Sequence, residues 1–185
     1  LGDKELIGYT IEAAINAGVS DKIIVDTDDA QIADVAKSFG AEIPYMRPDY
    51  LADDDVPPID VVLNSFKWFK DQGDEYDIFI YLQPTSPFRN ADIIKNGMKS
   101  FLDRKASMMA SINKSNCIPD RMRILGDDLR LDPFAKSEKV KLVRQLIGQY
   151  YELNGAMIIG YCNQLIKEKS WFCKDIFGFN LEYPS

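Results

Sequence analysis

A short apolar run that ends at two prolines constrains the fold of this chain more than any other feature. Residues 77–82 are rich in β-forming side chains and are short enough to be a buried strand. Pro84 and Pro87 end that strand, because proline cannot donate a ladder hydrogen bond. The loop that follows carries an amide, two hydroxyls and a guanidinium, which belong to Gln83, Thr85, Ser86 and Arg89. The planar fork of the guanidinium is suited to binding a carboxylate or phosphate. Ligands of open α/β sheets bind at the carboxyl ends of strands, so this loop is a candidate site.

Helix and strand patterns alternate along most of the chain. Apolar residues recur at helical spacing in four segments, at about 5–18, 29–39, 59–70 and 91–104. Short β-branched or apolar runs separate them, at 22–25, 42–45, 77–82 and 107–112. This alternation predicts an α/β fold with βαβ units, a mostly parallel sheet and helices on both of its faces.

The alternation stops after Asn113. Residues 114–135 are polar and turn-rich, and Gly126-Asp127-Asp128 between two short runs predicts a hairpin. Regular patterns return with a strand at 150–161 and a helix near 163–169. We therefore predict an α/β domain formed by residues 1–113 and 148–185, and a small projecting arm formed by residues 114–147.

Charge and composition exclude several classes of function. The net charge is −7 and the acidic residues are spread along the chain, which argues against a nucleic-acid partner. No apolar run approaches the roughly 18 residues of a membrane span, so no membrane partner is expected. The chain has no histidine, which excludes histidine-based mechanisms and the usual zinc sites. Three cysteines without a C-x-x-C pair indicate reduced thiols and a cytoplasmic protein.

The polar groups at the strand ends have structural explanations beside the functional one. The hydroxyls of the loop at residues 83–89, called the proline loop below, could simply cap the helix that follows it. Asp28 or Asp29 could orient a ribose or a hydrated metal, or could cap the next helix, with a dipole contribution of about 0.3–1 kcal/mol. Carboxylate clusters such as residues 53–55 could hold magnesium, although solvated loops more often explain them.

Two patterns nearer the end of the chain also allow two interpretations. Arg144 and Gln145 close a run with three lysines, which suggests either an anionic ligand, such as a triphosphate or a sugar carboxylate, or a solvated helix face. Asn154 and Gly155 interrupt an apolar strand although both residue types are depleted from strands. Gly155 indicates a bulge or a close backbone approach, and Asn154 would direct its amide to a ligand or to the core.

Four blocks, taken together and in order, resemble the acylneuraminate cytidylyltransferase (CMP-sialic acid synthetase) family. They are Leu6–Ala14; Ile24–Asp29 with Gly40–Pro44 and Arg47-Pro48; Leu82–Arg89; and Arg144-Gln145 with Asn154-Gly155-Ala156. The match runs over nearly the whole chain, and the block Leu82–Arg89 is its most specific part. Cytidylyltransferases for ketodeoxyoctonate share the architecture but differ at this loop.

This resemblance implies both a fold and a reaction. The fold would be a three-layer, Rossmann-like nucleotidyltransferase fold, dimeric through the arm at 114–147. The anomeric hydroxyl of a nonulosonic (sialic-type) acid would attack the α-phosphate of CTP, so that pyrophosphate leaves and a CMP-sugar forms. Positioning and charge neutralisation by Mg²⁺, the implied cofactor, would dominate catalysis.

The resemblance also assigns roles to residues. Catalytic roles would fall to Gln83 and Arg144. The nucleotide would be bound by Asp28, Arg47, Thr85 and Ser86. The sugar acid would be bound by Gln83, Arg144, Gln145 and Asn154.

The sequence departs from the family pattern in three ways. The family's glycine-rich triphosphate loop precedes the matched blocks, and its paired metal-binding aspartates follow them beyond Ser185. We therefore expect a truncated or partly observed protein that lacks the phosphate loop and the metal aspartates, so that residues 1–185 alone would be inactive. The alternative to an enzyme is a nucleotide-binding or regulatory module with the same fold and no catalysis. Ile158 replaces a common tyrosine and Asp26 replaces a common serine, so the sequence leaves the identity of the sugar open.

Overall fold

The computed structural model describes residues 2–134 and 148–181. The helices are α1 (Leu6–Ala17), α2 (Ala30–Ser38), α3 (Pro58–Asp71), α4 (Ala91–Arg104) and α5 (Cys162–Glu168), with 3-10 turns at Asp49–Leu51 and Pro119–Arg121. The strands are β1 (Ile78–Tyr81), β2 (Met108–Lys114), β3 (Arg123–Leu125), β4 (Leu131–Pro133), β5 (Tyr151–Tyr161) and β6 (Ile176–Asn180). The five helices predicted from the sequence are all present, and the α/β class is confirmed.

The ends of the helices follow from the local sequence. The Asp29 carboxylate caps α2 by accepting from two backbone N–H groups of the first turn, at 2.7 and 3.0 Å. The Asn90 side chain caps α4 by accepting from the N–H of Ile93 at 3.0 Å. Helix α1 ends at Gly18, whose φ of 60° is the left-handed conformation that glycine adopts without strain. Asp29 is thus the N-cap, and Asn90 caps α4 in place of the loop hydroxyls.

Four strands form one sheet in the order β1-β5-β2-β6. Strand β1 pairs antiparallel with β5, in a register that places Ile78 opposite Tyr161. The two predicted strands at 22–25 and 42–45 are reduced to a single parallel bridge between Ile24 and Glu42. The mostly parallel sheet expected from the helix–strand alternation is therefore not confirmed by the described pairings.

Strand β6 was not predicted from the sequence. It is a five-residue segment with Gly178 in its middle, and glycine weakens the strand pattern. The segment gains its conformation from pairing at the edge of the sheet, next to β2. A strand that depends on a neighbour distant in sequence leaves little local signal.

Apolar clusters cover both faces of the sheet. Alternate residues of a strand point to opposite faces. Ile78 and Ile80 of β1 pack in a cluster built on residues of α1 and α4, whereas Phe79 and Tyr81 pack in a second cluster with residues of α3 and α5. Helices thus lie on both faces of the sheet, as the sequence predicts. The loops at the carboxyl ends of the strands are held by this core.

The described residues divide into two compact units. The first comprises Leu1–Ser111 and Gly155–Phe179, and the second comprises Ile112–Asn154 and Asn180–Ser185. In the second unit β3 and β4 pair antiparallel around residues 126–130, with Arg123 opposite Pro133, which confirms the predicted hairpin. The hairpin exposes a series of large apolar side chains, namely Ile124, Leu125, Leu129, Leu131 and Phe134.

The expectations about membrane spans and cysteines concern the helices and the three thiols. None of the helices described for this chain is long and apolar enough to span a bilayer. All three cysteines are free thiols; Cys117 is exposed, whereas Cys162 and Cys173 are buried. Burial raises the pKa of the Cys162 thiol to about 11, so this side chain behaves as a small apolar core residue.

Candidate functional site

Arg89 fixes the proline loop from inside the protein. Its side chain is only 1% exposed. One terminal nitrogen, Nη1, donates to the carbonyl oxygen of Gln83 at 3.1 Å and to the carbonyl oxygen of Ala156. The other, Nη2, donates to Thr10 Oγ1 at 2.8 Å. The guanidinium therefore joins the loop to α1 and β5, and the interpretation of Arg89 as a fork for a bound carboxylate or phosphate is wrong.

The loop itself is a chain of tight turns. The backbone N–H of Ser86 donates to the carbonyl oxygen of Gln83 at 3.4 Å, and that of Arg89 donates to Ser86 at 3.2 Å. Thr85 is exposed, and Ser86 and Gln83 are half-buried. Thr85 is thus accessible to solvent, while the backbone of the loop is held by the buried Arg89 side chain.

Gly155 and Gln83 are in direct contact. Gly155 has a φ of 70°, in the left-handed region that side chains rarely adopt. A Cβ atom at this position would lie 2.5 Å from Gln83 Oε1, well inside contact distance. The glycine predicted as a close backbone approach therefore receives the side-chain amide of the loop. The absence of a side chain at Gly155 thus leaves the space that the Gln83 amide occupies.

A second polar cluster surrounds the carboxylate of Asp26. Arg47 Nε donates to Asp26 Oδ1 at 2.7 Å, and Arg47 Nη2 donates to the backbone carbonyl oxygen of Asp26 at 2.6 Å. The other carboxylate oxygen, Oδ2, accepts from the hydroxyls of Tyr45 and Ser65. Asp28 Oδ1 lies 3.9 Å from Arg47 Nη1. Arg47 and Asp28 were predicted from the sequence, whereas the roles of Asp26, Tyr45 and Ser65 were not, because their contacts span 19 to 39 residues.

Burial and the Asp26 carboxylate keep Tyr45 protonated. Burial raises the pKa of the phenol most strongly, and the hydrogen bond to Asp26 raises it further, to about 12 from an ordinary value of 10.0. A raised pKa in the folded state stabilises the fold below the ordinary pKa, and this contribution is lost as the pH rises through the folded-state value.

We expect Tyr45→Phe to lower the free energy of unfolding by about 1 kcal/mol at neutral pH, because it removes one hydrogen-bonded hydroxyl. The difference between wild type and variant should shrink between pH 10 and 12, where the phenol ionises in the unfolded wild-type chain but is still protonated in the folded one. Urea unfolding of both proteins across that range measures it. A difference that stays constant up to pH 12 would contradict the assignment.

A cavity of about 920 Å³ lies within the first unit. Its polar wall includes Asp26, Arg47 and Ser65 of the Asp26 cluster together with Asp28, and Pro84 of the proline loop also contributes. The remainder of the wall is mostly apolar and comes from α1, α3, α4 and β1. The cavity therefore has part of the Asp26 cluster and Pro84 in its wall, whereas Gln83, Thr85 and Ser86 do not line it.

Two extended segments add backbone groups to this wall. Asp77 accepts from the N–H of Cys162, which makes them a hydrogen-bonded pair of the β1–β5 ladder. Since such pairs alternate, the backbone N–H and C=O groups of Ile78 and Ile80 point away from β5, and both residues line the cavity. Ile24 lines it as well. The cavity wall thus offers backbone donors and acceptors in addition to apolar side chains.

Comparison with known proteins identifies the family. A family model described as cytidylyltransferase matches residues 1–143, which is more than half of the chain. The chain belongs to the cytidylyltransferase family. The resemblance derived from the four sequence blocks is thereby confirmed, and the protein is an enzyme of the nucleotidyltransferase type.

Curated relatives of this cytidylyltransferase act on three different sugar acids by name. The CMP-N,N'-diacetyllegionaminic acid synthase of Legionella pneumophila is 31% identical over 177 residues, which cover 93% of the chain and 73% of the relative. The N-acylneuraminate cytidylyltransferase of Escherichia coli is 33% identical over 99% of the chain, which spans only 42% of the relative. The pseudaminic acid cytidylyltransferase of Campylobacter jejuni is 27% identical over 89% of the chain and 71% of the relative.

Solved structures support the same fold. A CMP:2-keto-3-deoxy-manno-octonic acid synthetase complexed with CTP superposes with a TM-score of 0.62 at 13% identity, over 95% of this chain and 78% of the other. The 4-diphosphocytidyl-2C-methyl-D-erythritol synthase of Anaerococcus prevotii gives 0.61 at 14% identity, over 99% and 82%. At these identities the likeness shows the nucleotidyltransferase fold alone.

The remaining predicted site residues of the cytidylyltransferase are placed as follows. Asn154 belongs to the second unit, where its side-chain amide lies 2.9 Å from that of Asn113. Arg144 and Gln145 lie outside the described residues. Among residues 2–134 and 148–181, no group of three or more carboxylates and thiols is arranged to hold a metal ion. Residues 53–55 are therefore not part of such a group.

Proposed function

We propose that this cytidylyltransferase activates a nonulosonic (sialic-type) acid with CTP, giving a CMP-sugar and pyrophosphate. The observation that carries the proposal is the 31% identity with the legionaminic acid synthase across 93% of the chain. The second and third relatives also act on nine-carbon sugar acids by name. The proline loop, the most specific block of the resemblance, follows the end of β1, and this supports the proposal because ligands of open α/β sheets bind at strand ends.

The proposed role of each residue follows from its position. Asp28 and Arg47 would face the nucleotide from the Asp26 cluster, and Thr85 and Ser86 would contact it from the proline loop. Gln83 would act between nucleotide and sugar, since its amide can both donate and accept a hydrogen bond. We propose that Arg144, Gln145 and Asn154 bind the sugar acid, with Arg144 aiding catalysis. Little covalent chemistry is required of the protein, so that holding the two substrates in line accounts for most of the rate.

We also propose Mg²⁺ as the cofactor, because it neutralises charge on the phosphates of a nucleoside triphosphate. The carboxylates of the described residues do not assemble a site for it. No catalytic step is therefore assigned to the ion here. Loss of activity on chelation, restored by added magnesium, tests the requirement.

The hairpin of β3 and β4 supports a homodimer as a further part of the proposal. Leu129 is 76% exposed and Leu125 62% exposed, and adjoining exposed apolar side chains commonly mark a protein contact. The arm would then mediate dimerisation of a three-layer, mostly parallel Rossmann-like domain in the cytoplasm. Sedimentation velocity tests the oligomeric state.

Pyrophosphate release tests the reaction. The full-length protein is incubated with magnesium, CTP or UTP, and a panel containing neuraminic, legionaminic and pseudaminic acids. We expect release with CTP and at least one of these acids, and little with UTP. Release that is independent of the sugar acid, or equal with UTP, would contradict the proposed substrate pair.

Gln83→Ala should lower kcat about 10- to 100-fold, because a positioned amide is lost from the reacting centre. The thermal midpoint should stay close to that of the wild type, since the Gln83 backbone carbonyl that binds Arg89 is retained. Gln31→Ala, at an exposed position of α2, is the control and should keep wild-type kcat. Wild-type turnover in Gln83→Ala would remove this residue from the site.

A further inference from the structure

We propose that Asp26 is a positioning residue for Arg47, and that it makes the contact of Arg47 with its ligand directional. The inference rests on the proposed function and goes beyond it, because it assigns a role to Asp26 and one ligand-facing atom to Arg47. Its basis is that the two carboxylate oxygens of Asp26 accept hydrogen bonds from different groups.

The two oxygens of Asp26 serve different groups. Oδ1 accepts from Arg47 Nε at 2.7 Å, whereas Oδ2 accepts from Ser65 Oγ at 3.1 Å and from the Tyr45 hydroxyl. The hydroxyls thereby hold the carboxylate in one orientation, and the carboxylate holds the guanidinium. The side chain of Asp26 is 13% exposed, so water competes little for these contacts.

Backbone contacts complete the clamp on Arg47. Its Nη2 donates to the carbonyl oxygen of Asp26 at 2.6 Å, and its own backbone N–H donates to the carbonyl oxygen of Thr27 at 2.9 Å. Two of the three guanidinium nitrogens are thus bound on the protein side. Nη1 is the nitrogen that faces Asp28, at 3.9 Å from Oδ1, and Asp28 is half exposed.

The charges of the cluster support a directional contact. Arg47 carries one positive charge, while Asp26 and Asp28 carry two negative charges within 4 Å of it. The positive charge is therefore compensated locally and supplies little attraction for anions at a distance. Arg47 instead contributes a hydrogen-bond donor of fixed direction, because a planar guanidinium held at two nitrogens presents the third in one orientation. Arg47 would act by hydrogen bonding from Nη1, and Asp26 would determine where Nη1 points.

Steady-state kinetics and a structural readout test this assignment together. Asp26→Asn should raise KM for CTP about 10-fold with kcat within about 2-fold of wild type, since a misdirected Arg47 weakens binding in ground and transition states alike. Asp34→Asn is the matched control, because it removes a carboxylate charge at an exposed position of α2, where Asp34 pairs with Lys37 and not with Arg47. This control should keep KM within about 2-fold of the wild-type value.

A double-mutant cycle separates positioning from a general structural effect. If Asp26 acts through Arg47, Asp26→Asn should add nothing to the KM of Arg47→Lys, which cannot form the same two contacts. The Nε–H signal of Arg47 in NMR spectra should show a rigid side chain in the wild type and a mobile one in Asp26→Asn. Unchanged KM in Asp26→Asn, additive effects in the cycle, or a rigid Arg47 in the variant would each overturn the proposal. Absence of turnover with CTP would instead refute the proposed function, and the NMR result would still decide the role of Asp26.

Discussion

Replacing Arg89 with alanine is expected to lower the free energy of unfolding by about 3 kcal/mol or more, the largest effect of any single substitution considered. The guanidinium satisfies two carbonyl oxygens and the Thr10 hydroxyl at a position that is 1% exposed. Each buried acceptor that loses its donor costs about 1–3 kcal/mol. Turnover should fall with stability, because the backbone of the proline loop would no longer be fixed to α1 and β5.

Urea unfolding of wild type and Arg89→Ala measures this effect, with Arg130→Ala as the control. Arg130 forms an ion pair with Asp128, but both side chains are largely exposed. Exposed pairs contribute about 0–1 kcal/mol, so the control should differ little from wild type. Equal stabilities of the two variants would show that Arg89 does not support the loop.

Gly155→Ala is expected to lower kcat about 10- to 100-fold, because the added methyl group displaces the Gln83 amide. The new Cβ would lie 2.5 Å from Gln83 Oε1, so the side chain must move. The φ of 70° adds a conformational penalty of about 1–2 kcal/mol for a residue other than glycine. The variant should therefore lose both stability and turnover, and its loss of turnover should match that of Gln83→Ala.

Gly73→Ala provides the control for backbone strain. Gly73 also has a positive φ, of 87°, but a Cβ there meets nothing within 4 Å. It should lose a similar amount of stability and keep wild-type kcat. Adding Gly155→Ala to Gln83→Ala should not lower kcat further, because both changes remove the same amide from the site. A Gly155→Ala enzyme with normal turnover would show that β5 does not position Gln83.

Local sequence signals predicted the elements of the fold but not all of their pairings. Helix α4 has the predicted bounds, since a strong apolar period and the Asn90 cap act within the segment itself. Strand β6 and the antiparallel direction of β1 against β5 depend on partners distant in sequence. Periodicity reports which face of a segment is buried, and it carries no information on the direction of the neighbouring strand.

The candidate site was predicted in part for the same reason. Gln83 and Gly155 were each singled out, one as a polar loop residue and the other as a close backbone approach, and the structure brings them together. Arg89 was misinterpreted because its acceptors lie 67 and 79 residues away in sequence, on Ala156 and Thr10. No local pattern distinguishes an arginine that binds a ligand from one that binds two carbonyl oxygens in the core.

Pyrophosphate release by the full-length protein with CTP and a panel of nonulosonic acids is the measurement that tests the central claim most directly. We expect release that requires both CTP and one of the sugar acids, and that falls about 10- to 100-fold in Gln83→Ala. Release with UTP at the same rate, or a wild-type protein that binds CTP and releases no pyrophosphate with any acid in the panel, would contradict it.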